Sequence, residues 1–421
     1  MKKQNKNKEL PLVAIDLGSS SVKAMAAYSL PESDGRIHIL GVEQSRKFDC
    51  ISKGRITNTS SAGYLISEEL KLLANRIGQN VPFSSAFVNV GGKNMGSVGI
   101  PAKRVLSFRP VIATPIINGM IDECQAKFRQ KFSDHSIFYI RPAYFQIDDV
   151  LYPGELPAGT RGENVQAMFT SFYADNQLVP EVVSSFGRST VELEAAFPRP
   201  VALLEALASE EDEKLGLAIL DFGHDTTTIS VYKNGEFLRS KTIPLGGRHI
   251  TSDISQMHIT PTYAEALKTR HGVASEHFLK KNPTLVIPSS VEGEEPVRMP
   301  LAMLTEIINS RLDEILQEPL KILQHYEDTI SVVYVTGGAS RLNHLVDYLG
   351  KLISIPVMYG SHADWLDDDT PAEFFAPEYS ALVGCLLLAR KHRKNHKAPE
   401  RKKKLGDKLT DMLLDIFTYQ Q

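Results

Sequence analysis

The chain has 421 residues, 42% of them hydrophobic and 23% charged, with a formal net charge of −3. That length exceeds one ordinary domain and can bury a large core, and the near-neutral balance excludes a chain that coats nucleic acid along its whole length. Three cysteines, Cys50, Cys124 and Cys385, lie far apart with no CxxC pair, which argues against a disulfide framework or a zinc site and fits a reducing cytoplasm.

The opening "MKKQNKNKEL" is basic, but the apolar run behind it is interrupted at once by Asp16, so no signal peptide is expected. No run approaches the ~18 apolar residues that span a bilayer. From Leu12 the chain reads "LVAIDLGSSSVKAMAAY": an apolar run, Asp-x-Gly, small polar residues, a second apolar run. This predicts strand, turn, strand. A strand at "RIHILGVEQS", a helix from Ser60 to Ile77 and a strand at "SSAFVNVGG" follow. From about Ser84 to Ala174 the pattern is strand-rich and punctuated by proline, which predicts an inserted subdomain. "NVGGKNMGS" contains Gly-Lys but lacks the P-loop spacing, so a strand–turn–strand within that insert is expected. Helical patterns return at Gln177–Phe186 and Arg199–Ala208, and the acidic "SEEDEK" reads as an exposed joint.

Half a chain later, "LGLAILDFGHDTTTISVY" repeats the opening grammar around Asp221. One device used twice suggests two related halves facing a cleft. "EFLRSKTIPLGGRHITSDIS" predicts a strand, a turn at Gly246–Gly247 and a helix start. "TPTYAEALKTRHG" predicts a helix capped by Thr260 or Thr262 and stopped by Gly272. A punctuated hairpin, "NPTLVIPSSVEGEEPVRMP", precedes the strongly amphipathic "LAMLTEIINSRLDEILQEPLKILQH". "SVVYVTGGASRLNHLVDYLGKL" reads as strand, glycine turn, helix, and a small-residue helix closes the body.

Each motif alone has a plain reading. "IDLGSSS" places Asp16 where it would hold a hydrated magnesium ion and Gly18 to Ser21 where N–H groups and hydroxyls would meet phosphate, but the same residues build an ordinary hairpin. "TGGAS", Thr336 to Ser340, offers close backbone approach to a ligand or simply a strand-to-helix turn.

From Arg390 the composition changes to "RKHRKNHKAPERKKK", which reads as a flexible basic linker. In "LGDKLTDMLLDIF", Leu405, Leu409, Met412, Leu413, Ile416 and Phe417 fall within an arc of about 140° on a helix. Either this helix docks on its own domain or it lies in a membrane surface. Partial burial of six side chains worth about 1.5–3 kcal/mol each when fully buried, with up to ~1 kcal/mol per nearby Lys or Arg, supports reversible membrane docking, weakened by Asp407, Asp411 and Asp415.

Taken in order, the two Asp-x-Gly turns, the Gly-Gly turn and the TGGAS turn resemble the actin-like ATPase superfamily. "HITSDISQMHITPTYAEALKTRHGVA", the insert and the tail narrow the resemblance to the bacterial cell-division family FtsA, from Val13 to Phe417. The resemblance implies an α/β, actin-like bilobed fold of two ribonuclease-H-like domains with an inserted 1C (SHS2-type) subdomain and a C-terminal amphipathic helix. By that template, 10–83 with 175–208 and 376–390 form domain 1A, 84–174 subdomain 1C, 214–245 with 326–375 domain 2A and 246–325 subdomain 2B. Residues 391–404 form the linker and 405–418 the membrane-targeting helix.

The family implies ATP and Mg2+ in the cleft. Asp16, Gly18, Ser19, Ser20 and Lys23 match its first phosphate turn; Asp221, Gly223 and Thr226 match its second. Asp16 and Asp221 would hold the metal through water. Gly246 and Gly247, and Gly337, Gly338 and Ala339, would adjoin the nucleotide, with Glu265 and Lys268 near ribose and base. From the residues alone, Glu265 and Lys268 read equally as an exposed intrahelix pair. Implied partners are the C-terminal peptide of FtsZ, at Arg311 and Glu314, further copies of the chain in a filament, anionic inner-membrane lipids and other divisome proteins, with no nucleic acid. Arg311 and Glu314 also read as a solvated face of a core helix. The implied function is tethering the FtsZ ring to the inner face of the cytoplasmic membrane at the division site, with peripheral membrane attachment. A PilM-like assembly-platform component and an actin-fold small-molecule kinase are the alternatives; neither accounts for the tail. The usual second turn of the superfamily is Asp-x-Gly-Gly-Gly-Thr, whereas here His224 and Asp225 replace two glycines. That weakens the expectation of hydrolysis: nucleotide binding with at most slow ATPase activity is expected.

Overall fold

The computed structural model describes residues 11–30, 35–45, 49–78, 83–93, 95–289, 293 and 295–395. The first lobe opens with β1 (Leu12–Leu17), β2 (Val22–Ser29) and β3 (Ile37–Gln44), then a short hairpin of β4 (Ile51–Ser52) and β5 (Arg55–Ile56). Helix α1 (Thr59–Arg76) and strand β6 (Ser85–Val90) follow. Asn58 caps α1 by accepting from the Ser61 N–H at 3.0 Å, which satisfies one of the free donors of the first turn.

The insert holds β7 (Gly96–Val105), α2 (Thr114–Lys131), β8 (His135–Ile147), β9 (Val150–Pro153) and β10 (Asn164–Asp175). The chain returns through α3 (Leu178–Gly187), β11 (Glu192–Pro198) and α4 (Arg199–Leu207). The stretch read as an exposed joint has no buried residue, and it folds as a short helix, α5 (Glu210–Leu215), because Ser209 and Asp212 form a reciprocal capping box.

The second lobe repeats the plan with β12 (Leu217–Phe222), β13 (Thr227–Lys233) and β14 (Glu236–Ile243), then α6 (Gly247–Ser255) and α7 (Pro261–His271). Thr260 caps α7 and Gly272 ends it. The hairpin β15 (Thr284–Ile287) and β16 (Val297–Pro300) leads into α8 (Leu301–His325). The lobe closes with β17 (Val332–Thr336), a short 3-10 turn at Gly338–Arg341, α9 (Leu345–Leu352) and β18 (Val357–Tyr359). Helix α10 (Ser380–Asn395) returns to the first lobe.

The first sheet runs β11-β6-β1-β2-β3, with β1 antiparallel to β2 and parallel to β6. The second uses the same scheme, β18-β17-β12-β13-β14, and continues into the insert as β7-β10-β8-β9. The junction is the antiparallel pairing of β14 and β7, with Lys241 opposite Gly96. Two boundaries therefore differ from the sequence reading. β6, placed in the insert by sequence, is a central strand of the first sheet, so "NVGGKNMGS" connects two different sheets. The helix of the body also extends beyond residue 390: Lys391 pairs with Glu205 and Arg393 with Glu194, so the first basic residues of the supposed linker are docked. Three apolar cores fill the first lobe, the second lobe and the insert.

Candidate functional site

β1 and β12 are each six residues long, each carries its aspartate at the fifth position, and each turns antiparallel into its neighbour. The turns close tightly. A β-carbon on Gly18 would stand 2.9 Å from the Ser21 carbonyl oxygen, and one on Gly223 2.7 Å from that of Thr226. Only glycine fits such an approach without displacing backbone.

The two turns line one cleft of about 590 Å³. Asp16, Gly18, Ser19, Ser20 and Lys23 reach it from the first lobe, and Asp221, Gly223 and Thr226 from the second. Gly247, Glu265 and Lys268 of α6 and α7 border the far side, with Gly338 and Ala339 after β17. Gly246 and Gly337 lie just behind this lining, Gly246 against the backbone of the second turn and Gly337 against Asp221. His224, Asp225, Ile250, Arg341 and Leu342 also face the cleft.

Arg199, at the first turn of α4 where the chain crosses between lobes, joins the two turns. Its Nη1 donates to Asp16 Oδ1 at 2.7 Å and its Nε to Asp221 Oδ2 at 2.5 Å. The planar guanidinium is suited to spanning two carboxylates. Burial pulls its pKa down, but the two aspartates more than offset this and hold it above the usual arginine value. Lys23 Nζ stands 4.0 Å from Asp16 Oδ2. Burial lowers the Lys23 pKa, with Asp16 acting against that shift.

A second link runs through the β4–β5 hairpin. The Gly54 N–H donates to Ser19 Oγ at 3.0 Å, and the Lys53 N–H donates to Asp225 Oδ2 at 2.9 Å. The hairpin tip thus touches both turns at once. Asp225 also lies 2.7 Å from Arg248 Nε, and burial lowers the pKa of the neighbouring His224. On the far side, Lys268 Nζ donates to the Gly247 carbonyl (3.0 Å), Thr251 Oγ1 (2.9 Å) and Glu265 Oε2 (2.7 Å). Burial lowers the Lys268 pKa, and Glu265 counters it. Lys268 is therefore packed into the cleft wall, while the Glu265 side chain stays 44% exposed.

A family model described as Cell division protein FtsA matches residues 218–384. The chain is similar to that family over these residues. Cell division protein FtsA of Escherichia coli (strain K12) is 24% identical over 412 residues, covering 93% of this chain and 93% of that one. Among solved structures, the PilM-PilN type IV pilus biogenesis complex matches with a TM-score of 0.65 at 16% identity, over 90% of this chain and 98% of that one. MreB5 of Spiroplasma citri bound to ADP matches with a TM-score of 0.51 at 12% identity, over 91% and 98% respectively. The chain has the actin-like fold.

A hydrated magnesium ion held through Asp16 and Asp221 does not fit this cleft. Both carboxylates already bond to Arg199, and Asp16 also faces Lys23, so two acids meet two cations. Asp221 Oδ1 has no hydrogen-bond partner among the described residues but abuts Gly337, where a β-carbon would come within 2.5 Å of it. Among the described residues, no cluster of three or more His, Cys, Asp or Glu is placed to hold a metal.

Arg311 and Glu314 lie outside the cleft, on α8. Arg311 grips Asp253 of α6 through Nε (2.5 Å) and Nη2 (2.9 Å), and Nη1 pairs with Glu314. Leu405, Leu409, Met412, Leu413, Ile416 and Phe417 lie outside the described residues, as does most of the basic linker.

Sequence reasoning missed Arg199, Arg248 and the Lys53–Gly54 tip. The one available signal was an arginine between two prolines at the start of an otherwise apolar helix, "FPRPVALLEAL".

Proposed function

We propose that this chain is a cell-division protein of the FtsA type, which binds ATP between its lobes, polymerises, and links an FtsZ-type ring to the inner face of the cytoplasmic membrane. The observation that carries the nucleotide reading is the pair of facing Asp-x-Gly turns in one cleft, with Lys268 and Glu265 on its opposite wall. Backbone N–H groups and the hydroxyls of Ser19, Ser20 and Thr226 suit the phosphates, while Ile250, Ala339 and Leu342 offer apolar surface to the base. Among the described residues the cleft presents no acid free of a cation to activate water, since Asp16, Asp221, Asp225, Glu265 and Glu378 each pair with Lys or Arg. Slow turnover follows.

The tether reading rests on the sequence of the tail and on similarity to FtsA. Among the described residues no helix is long and apolar enough to cross a membrane. The test compares the full chain with one ending at Ala398, by nucleotide titration and by co-pelleting with anionic liposomes. The full chain should pellet and the shortened one should stay in solution, with both binding ATP. Equal pelleting of the two chains removes the tether, and absence of nucleotide binding removes the ATP reading.

The docking site for the acidic FtsZ-type peptide is assigned to the α6–α8 face around Arg311. Because Asp253 and Glu314 already occupy that guanidinium, the peptide must compete with them. Arg311→Glu should weaken peptide binding in a polarisation assay; unchanged affinity rejects this location.

A further inference from the structure

The cleft is built around a cation that belongs to the chain. We propose that the Arg199 guanidinium takes the place of the divalent metal, so that this cleft binds the polyphosphate of a nucleotide in a metal-independent way. This inference rests on the ATP-binding reading above and specifies how that site works.

In a cleft with two bare aspartates, the acids repel a polyphosphate, and a divalent cation between them removes that repulsion. Here Arg199 does so from within. It bridges Asp16 of the first lobe and Asp221 of the second, at 2.7 and 2.5 Å. Lys23 adds a second positive charge beside Asp16. The four side chains sum to zero, so the attraction that would draw a divalent ion between the acids is absent. The phosphates then face N–H groups and hydroxyls of the two turns over a neutral floor.

The position is fixed by covalent and packing constraints. Arg199 is the first residue of α4, with Pro198 before it and Pro200 after it, and Val201 to Leu204 are buried. Gly91 gives the side chain room: a β-carbon there would stand 3.1 Å from Arg199 Cδ. The arginine pKa is held above its usual value, so the charge persists at any working pH. A fixed guanidinium tied to two carboxylates also cannot follow charge onto a leaving phosphate as a mobile metal ion does, which agrees with slow turnover.

The test uses the full chain and a fluorescent ATP analogue, titrated in magnesium and in EDTA. Wild type should change its Kd by less than about threefold between the two buffers, whereas Arg199→Gln should lose about tenfold or more in EDTA and recover with magnesium. A wild-type loss of about tenfold in EDTA overturns the inference while leaving ATP binding intact. If neither buffer supports binding, the nucleotide reading fails and the inference falls with it. A second readout needs no nucleotide: Mn2+ titration followed by electron paramagnetic resonance. Wild type should hold no Mn2+ at the cleft and Arg199→Gln should hold one ion. Binding by wild type that Asp16→Asn abolishes overturns the proposal. If Arg199→Gln fails to fold, the wild-type titrations still decide.

Discussion

The turn after β1 and the turn after β12 share a backbone and differ in charge. In both, an aspartate stands one residue before the strand's end and a glycine presses on the carbonyl three residues later, at 2.9 and 2.7 Å for an added β-carbon. The residue opposite the aspartate is Lys23 in the first lobe and Thr228 in the second. The first turn continues with three serines. The second continues with His224 and Asp225, and Asp225 is tied to Arg248 and to the hairpin tip of the other lobe. A duplicated frame has thus been given two jobs. The first turn presents hydroxyls to the cleft, and the second helps hold the lobes together. Arg199 is the shared part that makes both compatible with an anionic ligand.

The strongest way to break this comparison is to remove that shared part. Arg199→Met keeps much of the volume and leaves two buried carboxylates without their bridge. Stripping one partner from a buried ion network costs about 3 kcal/mol or more, readable as a lower denaturant midpoint. Adding Asp16→Asn and Asp221→Asn in the same chain should restore most of that loss, because no uncompensated charge remains. A single variant as stable as wild type would show that the acids do not depend on Arg199.

The second turn offers a finer test. Asp225→Ala removes both an acceptor for the Lys53 N–H and a negative charge beside the cleft. A hydrogen bond to a charged group is worth about 1.5–3 kcal/mol, so amide exchange at Lys53 should accelerate by about tenfold or more. ATP affinity should rise, though only about threefold, because Arg248 already screens the acid. Asp225→Asn keeps an acceptor and should raise affinity while leaving Lys53 protected. The double change His224→Gly with Asp225→Gly should show the same gain in affinity. If neither affinity nor exchange moves, Asp225 neither repels phosphate nor clasps the hairpin.

What the sequence revealed, and what it hid, follows the reach of each interaction. The Asp16 and Asp221 turns were legible because each is local: strand, acid, glycine and hydroxyls within ten residues. Helix α7 was legible for the same reason, with Thr260 and Gly272 marking its ends. The junction of β14 with β7 was not, since nothing in either strand's alternation names its neighbour across a sheet. Arg199 was hidden most deeply. Its partners lie on strands from opposite halves of the chain, and beside Pro198 and Pro200 it resembles an ordinary helix start. The partners of Asp225 were hidden similarly, because Arg248 and Lys53 reach it only in the folded chain. The docked end of α10 was obscured by composition: a run of basic residues reads as solvated until Glu194 and Glu205 are found beside it.

The smallest effect comes from an acid that has no such partner. Glu69 on α1 is buried in the first lobe, and its Oε2 has no hydrogen-bond partner among the described residues. Burial, with Glu43 and Glu68 nearby, pushes its pKa up to about 7. It shows what happens to a buried carboxylate in this lobe when no guanidinium is supplied. Because the folded-state value lies above the unfolded one, the native chain keeps a proton that the unfolded chain releases. The stabilisation is therefore complete below the unfolded pKa of about 4.3 and is lost as pH rises through about 7. Glu69→Gln carries the neutral form permanently. Its stability should match wild type near pH 4 to 5 and exceed it by on the order of 1 kcal/mol at pH 8, measured by urea unfolding across pH. Parallel curves for the two chains would mean that Glu69 finds water or a cation in solution. The contrast with the arginine-bridged aspartates would then rest on the cleft alone.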